Sequence, residues 1–503
     1  MASKPGTAND VKETGPTNAS AFGTPANEPP PFFPTLIERA RQLSTAPARP
    51  SSVDLPVSVR DIAWEQYRKI SFRPERALWH GEPGHFEAQF FHMGYGYRDP
   101  VPVFVIEGQD AKPFAYSSDQ FDFGGGIAPP SAQEAAQLSF AGMRLHANIN
   151  RDDYRDEFML FQGASYFRGV GKGGWLGLSG RGLAINQGLS EPEQFPRFSE
   201  MYLQKPGPDD KYLWVLALLE GKSVTGAYAM RIQPGDFTTV EISAQIFLRE
   251  AVQVFAVAPL TSMFLYGEEH PANFGDFRPE VHDSDTLVMI DGNGDTIARP
   301  LHNPPRTTVS AFGLTSPKGF GLEQRDRVWD HYQDIVERYD IRPTGWVEPL
   351  GDWGRGAVRL FEFSSHLESD DNIAAYWVPE KIENNQFAVK YRVYFGDRLP
   401  FTPALGRVIG TRHASWEPAR SRFVVDFANL PKEAENAEVT LDATVNNGRL
   451  AEQKLLKNPY TGGYRVEIDA VREQSDDIEM RVTLRSGGRP VTETWSYLWQ
   501  PTR

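Results

Sequence analysis

The feature that most constrains this chain is its punctuation. Short runs rich in β-branched, aliphatic and aromatic residues are divided again and again by Gly, Pro, Asn and Asp, with 44 Gly and 39 Pro in 503 residues. Val101 to Gly108, Trp214 to Glu220, Ala227 to Gln233, Phe237 to Leu248, Ala357 to Phe363 and Ile373 to Trp377 read as strands, several with alternating polarity. Regular punctuation of this kind implies antiparallel sheets rather than βαβ units. Helical spacing occurs only at Leu36, Ile37, Ala40 and Leu43, at Ile62, Ala63, Tyr67 and Ile70, and near Arg327 to Asp340, where Trp329, Tyr332, Ile335, Val336 and Tyr339 form a stripe. The last of these ends at Pro343, which cannot continue a helix.

The expected organisation is all-β. Residues 1–31 form a flexible tail rich in Pro, Thr, Ala and Asn, residues 32–380 a large β domain, and residues 386–503 a compact β-sandwich. Pro379 to Asn385 is polar and reads as the linker. Val389 to Phe395, Arg422 to Phe427, Glu438 to Val445, Tyr464 to Val471, Ile478 to Leu484 and Val491 to Trp499 supply the second unit's strands.

Several function classes are excluded or disfavoured. A formal charge of -14, from 52 basic against 66 acidic residues, argues against nucleic acid, whose affinity comes from clustered Lys and Arg. With no cysteine, thiol catalysis, thiolate metal sites and disulfides are ruled out. No stretch approaches the roughly 18 apolar residues that would insert in a membrane. The opening segment has neither the basic start nor the apolar run of a signal peptide, so an exported form is expected to have lost its signal. Gly169 to Gly174 fits a dinucleotide-binding fingerprint but precedes a strand, not a helix, and reads as a turn. Asp291 to Asp295 opens like a calcium loop, but Thr296 and His302 stand where Gly and Glu are required, so a hairpin turn is expected. His282 adjoins Asp283 without a nucleophile elbow and reads as a structural or substrate-contacting histidine.

Carboxylate chemistry remains. Glycosidic bonds are usually cleaved by two carboxyl groups, one acid and one base or nucleophile. Two segments set acids beside aromatics and arginines: Asn273 to Asp285, with Arg278 and Asp283, and Glu368 to Asn372, with Asp370 and Asp371. Aromatics, 12% of the chain, suit sugar rings, although rings also fill β cores.

Longer strings carry a family resemblance. Ser71 to Trp79, Gly163 to Arg168, Ala258 to Leu265, Arg278 to Ser284, Gly319 to Leu322 and Asp371 to Trp377, in this order, resemble the periplasmic glucan biosynthesis proteins G and D. The resemblance implies a galactose-mutarotase-like N-terminal sandwich, an immunoglobulin-like C-terminal sandwich, residence in the periplasm, and work on β-1,2-linked glucan. It further implies an inverting glycoside hydrolase, or a transglycosylase that cyclises or re-links the chain. A non-catalytic glucan-binding assembly factor is the rival from another class. By motif, the general acid falls on Asp371 and the general base on Asp283, with Asp370 the rival for the acid. Tyr339 matches the tyrosine near the reacting sugar and is expected to relay a proton or stack on the sugar. Arg278 and Arg342 are expected to orient carboxylates, bind hydroxyls or form structural ion pairs. Trp79, Tyr166, Trp346 and Trp353 are the candidate sugar contacts. No metal or organic cofactor is implied, because acid–base chemistry needs neither. The expected partners are β-1,2-glucan, a second copy of the chain and the envelope glucan-synthesis machinery.

Overall fold

The computed structural model describes residues 28–49, 54–124, 126–270, 275–417, 419–435, 437–473 and 477–500. The expected tail up to residue 27 and Asn273 of the first acidic segment lie outside the described residues. The architecture is all-β, as the punctuation implied. One sheet of ten strands runs in the order Phe86–His92, Phe140–Arg151, Tyr154–Gln162, Tyr166–Gly169, Ser179–Arg181, Phe255–Ser262, Ile373–Pro379, Arg355–Glu362 and Thr308–Thr315, with Leu183–Ile185 paired to its side. It faces a sheet of fifteen strands centred on Gln386–Gly396, Thr238–Leu248, Val224–Gln233 and Leu213–Glu220. The two inner faces share one core, in which Phe90, Met143, Phe161 and Leu260 of the first sheet meet Val215, Met230, Ile242 and Val393 of the second.

Local pattern explains why Leu213–Glu220 is apolar at every position but the last. Val215, Ala217 and Leu219 point into the shared core, while Trp214, Leu216 and Leu218 point outward beneath the Phe33–Ser44 helix. That helix lays Phe33, Leu36 and Ala40 on the strand, so both faces are covered. Burying each such aliphatic side chain contributes about 1.5–3 kcal/mol.

A second core holds Phe423, Val425, Ile468, Met480, Val482, Trp495 and Tyr497. It lies between a four-stranded sheet, ordered Arg407–Glu417, Arg420–Ala428, Gly463–Arg472 and Gly448–Asn458, and the end of the fifteen-stranded sheet formed by Thr440–Asn446, Ile478–Ser486 and Thr494–Trp499. The large sheet is continuous between the two cores, because Ile297 and Ala298 pair in parallel with Thr494 and Trp495.

Three local expectations change. Gln386–Gly396, assigned from sequence to the C-terminal unit, is paired on both sides within the large sheet, to Thr238–Leu248 and Thr344–Pro349. The polar stretch before it is the crossing from the ten-stranded to the fifteen-stranded sheet, turned by Asn384 and Asn385 at positive φ, a conformation Asn tolerates. Third, the expected helix from Arg327 to Asp340 contracts to a single turn, Trp329–Tyr332, followed by a 3-10 turn at Tyr339–Ile341. Tyr332 and Tyr339 are buried, whereas Ile335 and Val336 are 78% and 70% exposed, so the stripe never forms one face. The Asp291 to Asp295 segment is the expected hairpin turn between Thr286–Ile290 and Thr296–Pro300.

Arg325 is the main polar tie between the cores. Its guanidinium donates to Glu323 at 2.9 Å and to Glu493 at 2.6 and 3.1 Å, and Glu493 also accepts the Val408 N–H at 2.7 Å. Removing Glu493 costs Arg325 one of its two carboxylate partners and leaves the buried Val408 N–H without its acceptor. Glu493→Ala is therefore expected to lower unfolding stability by about 1.5–3 kcal/mol, read by urea denaturation; a loss below about 1 kcal/mol would show that the tie contributes little.

Candidate active site

The residues carrying the expected chemistry converge on the outer face of the ten-stranded sheet and the loops above it. Phe167 is in the core, so its strand neighbours Tyr166 and Arg168 face outward. The adjacent strand repeats the pattern around Gly180, where an added Cβ would lie 2.5 Å from the Phe167 ring; its flanking residues Ser179 and Arg181 face outward too. Arg168 donates to Ser179 Oγ at 2.8 Å and reaches Asp371 Oδ2 at 3.5 Å.

Asp371 immediately precedes the Ile373–Pro379 strand, and its place is set by its neighbour. The buried Asn372 side chain accepts the Phe264 N–H at 2.8 Å and donates to the carbonyls of Phe264 and Phe363 at 2.9 and 3.2 Å. Asp370 turns the other way and accepts a hydrogen bond from Ser365 Oγ at 2.7 Å, within its own loop. Burial raises the Asp371 pKa, against the opposing charges of Arg168 and Arg181.

Asp283 follows the short strand Val281–His282 and donates its backbone N–H to the Met263 carbonyl at 2.8 Å. Its carboxylate accepts from Arg342 Nη1 at 2.8 Å. Burial pushes its pKa up, Arg342 opposes that, and the charge of Asp371 adds to the rise. The two carboxyl groups therefore lie within electrostatic reach of one another. Arg342 is itself held by the Glu337 carbonyl and carboxylate at 3.0 and 2.7 Å, and it packs over the Tyr339 ring at 4.6 Å.

Tyr339 is 1% exposed, so its ring is not available to stack on a sugar. Its hydroxyl donates to Glu368, and burial followed by that bond raises its pKa far above the ordinary phenol value. Glu368 takes a bidentate pair of hydrogen bonds from Arg278 at 2.9 and 2.8 Å, which holds its carboxyl below the usual range. Arg278 also donates to Asp276 and Asp334, so it is a structural tie rather than a sugar contact. His282 is structural as well, stacked on Phe264 and hydrogen-bonded between Glu280 and Gln324 at 2.8 and 2.9 Å.

Of the four expected aromatic contacts, Tyr166 alone is brought to Asp371, whose charge helps burial to raise the phenol's pKa. Trp79 is 7% exposed within the main core, and Trp346 is 2% exposed against Phe401 and Leu399, so neither ring has a free face. Trp353 packs on Trp377 and Tyr391 and donates to the Lys390 carbonyl at 3.2 Å. For Trp79 and Trp346 this corrects the expectation, with ring burial as the reason, whereas Trp353 is partly buried. Sequence reasoning missed Arg181, which is buried between Tyr166 and Phe195 at 4.7 and 5.0 Å and donates to Glu193 at 2.8 Å. It also gave no role to Arg168, although that residue closes one of the recognised strings. Phe195 and Trp175 are half exposed, and Trp175 donates its backbone N–H to the Ile341 carbonyl at 3.1 Å, beside Arg342.

A sequence profile of the family described as "Periplasmic glucan biosynthesis protein, MdoG" matches residues 32–499. The chain is similar to a "Glucans biosynthesis protein G" of Ralstonia nicotianae, 42% identical over 93% of this chain and 95% of that protein. It is also similar to a "Glucans biosynthesis protein D 1" of the same organism, 39% identical over 97% of this chain and 95% of that protein. A "Glucans biosynthesis protein G" of Rhodopseudomonas palustris is 39% identical over 97% of both chains.

The raised Asp371 pKa has a thermodynamic consequence. Its folded-state value lies above that of the unfolded chain, about 3.9, so the stability it contributes is complete below that value and is lost as pH rises through the folded one. Asp371→Asn is therefore expected to melt higher than the parent chain at pH 7, with the gap closing as pH falls toward 4. A gap independent of pH in thermal melts would contradict the raised pKa.

Proposed function

The chain belongs to the periplasmic glucan biosynthesis protein family, MdoG, and from that premise we propose that it is an inverting glycoside hydrolase of the periplasm acting on β-1,2-linked glucan. The observation that carries this reading is the contrast between two interacting carboxyl groups. Asp371 is half-buried with, among the described residues, a cation no nearer than the 3.5 Å contact of Arg168, whereas Asp283 is buried against Arg342 at 2.8 Å. Pairs of acids held in unequal surroundings divide into acid and base.

In this mechanism Asp371 keeps its proton and gives it to the departing glycosidic oxygen. Asp283, whose ionised form Arg342 favours against the effect of burial, takes a proton from the water that attacks the opposite face of the sugar. An inverting site leaves about 6.5–9.5 Å between such carboxyls for that water, and a wider gap needs a relay. Tyr339 serves as positioning residue, fixing Arg342 through its ring and Glu368 through its hydroxyl. Tyr166, Phe195 and Trp175 offer the partly exposed rings on which glucose units would stack. Among the described residues no helix is long and apolar enough to cross a membrane. The partners in this reading are the glucan, a second copy of the chain and the envelope machinery that makes the polymer.

Linear β-1,2-glucan incubated with the protein in heavy-oxygen water tests the reading. Hydrolysis places one solvent oxygen at each new reducing end, whereas glycosyl transfer incorporates none. Unlabelled, mass-conserved or cyclic products would replace the hydrolase with a transglycosylase, and unchanged glucan would leave a binding factor. Asp371→Asn is expected to lower kcat by about 10²–10⁴-fold while glucan binding persists, because the acid acts on the transition state. Full activity in Asp371→Asn with a dead Asp370→Asn would move the acid by one residue.

A further inference from the structure

Trp64, Tyr67, Tyr95 and Tyr97, which the proposed acid–base step does not use, gather in one cluster. Trp64 and Tyr95 are exposed, with ring centroids 5.5 Å apart. Beneath them Tyr67 is buried, stacks on Trp64 at 6.1 Å and on Tyr97 at 5.4 Å, and donates its hydroxyl to the His92 carbonyl at 2.8 Å. The exposed pair is therefore braced from below. The loop that presents Tyr95 is equally fixed. Gly94 and Tyr97 exchange both backbone hydrogen bonds, at 3.0 and 2.9 Å, and a Cβ on Gly94 would lie 2.9 Å from the Val59 carbonyl oxygen. Tyr95 itself stands at φ 53°, a left-handed conformation that is costly for a bulky side chain and recurs where a protein grips a ligand.

These rings are continuous with the candidate active site. A pocket of about 230 Å³ lies between the Gly96 to Asp99 loop and the Gly163 to Tyr166 segment. Tyr97 and Tyr166 line it together with Arg98, Asp99, Gln162 and Arg197. The charge of Arg168 acts on the Tyr97 phenol and that of Asp371 on the Tyr166 phenol, so the pocket bridges the exposed rings and the proposed acid.

We propose that Trp64, Tyr95 and this pocket form a further sugar subsite, which grips a glucan chain at a distance from the bond that breaks. The inference rests on the glucan reading above. A pyranose presents C–H groups on its faces and hydroxyls around its edge, so it is recognised by flat rings set beside a mixture of donors and acceptors. Both are present: Arg98 and Arg197 donate, the Asp99 carboxylate accepts, and the Gln162 amide does either. Binding energy collected here is shared by a long chain and missing from a short one, so the subsite selects polymer over fragments.

The test titrates linear β-1,2-glucan calorimetrically into the full chain carrying Asp371→Asn, with Trp64→Ala, Tyr95→Gly or the ring-keeping Tyr95→Phe added, each checked for native circular dichroism. Glycine suits the positive φ, so Tyr95→Gly removes the ring without straining the loop. Trp64→Ala and Tyr95→Gly are each expected to weaken binding about tenfold, and Tyr95→Phe to leave it unchanged. With Asp371 intact, the same two ring deletions are expected to raise KM for the polymer while kcat, and KM for the shortest cleaved oligosaccharide, stay as in the parent. Undiminished polymer binding by both folded ring-deletion variants, or an equal loss in Tyr95→Phe, overturns the subsite. Labelled reducing ends formed without any dependence of binding on the rings would sink the subsite and keep the hydrolase; ring-dependent binding without labelled ends would do the reverse.

Discussion

One guanidinium organises the loops of the candidate active site. Arg278 spends all five of its N–H donors on carboxylates: Asp276 beside it, Asp334 at 2.9 Å and Glu368 at 2.9 and 2.8 Å. These three acids belong to the three segments that supply Asp283, Tyr339 with Arg342, and Asp371. Removing the arginine would leave three carboxylates facing one another in a half-buried space, a net repulsion in place of a network. The planar five-donor fork suits this task in a way the single ammonium of lysine does not.

The same economy of charge governs the sheet beneath. Tyr166, Arg168 and Arg181 stand on strands whose inward positions are Phe167 and Gly180, so the core fixes which face they occupy. A slip of one residue would bury Arg168 and expose Phe167 in the first strand, and would bury Arg181 in the second. Arg181, flanked by Tyr166 and Phe195 and paired with Glu193, is the only one of this group nearly removed from solvent. Its charge still reaches Asp371, where it opposes the effect of burial.

Much of this was legible in the chain. Strands buried on one or both faces announce themselves through alternation or continuous apolar runs, and Leu213–Glu220 and Thr238–Leu248 were read nearly to the residue. Several strands of the large unit, among them Phe86–His92, Phe140–Arg151 and Phe255–Ser262, were not named, and the two long strands missed in the C-terminal unit, Arg407–Glu417 and Gly448–Asn458, are the two edges of the four-stranded sheet. Edge strands are kept polar to discourage further pairing, and the lysines of Gly448–Asn458 mask its strand character. The helix expected around Trp329 failed for a different reason. Arg327 donates to the carbonyls of Asp340 and Arg342, and Asp334 accepts the N–H groups of Val336 and Glu337, so local polar bonds replace the helical ladder.

Motif strings could name Asp283 and Asp371, but they could not say which way a side chain turns. Asp370 and Asp371 are chemically identical neighbours, and only tertiary contacts separate them. Asn372 is fastened to the backbone at Phe264 and Phe363, and Asp370 is tied down by Ser365, so the remaining carboxyl is directed toward Arg168. The tryptophans misled for a related reason. A large ring next to a recognised string is as useful to a β core as to a sugar, and Trp79 and Trp346 went to the interior. Tyr166, the aromatic left beside Asp371, carries the guanidinium of Arg181 on its ring, and Phe195 meets the same guanidinium. The cation is attracted to both rings, so one buried charge holds the two aromatics in place. The face presented to solvent next to Asp371 is therefore set by a residue that composition and spacing gave no reason to single out.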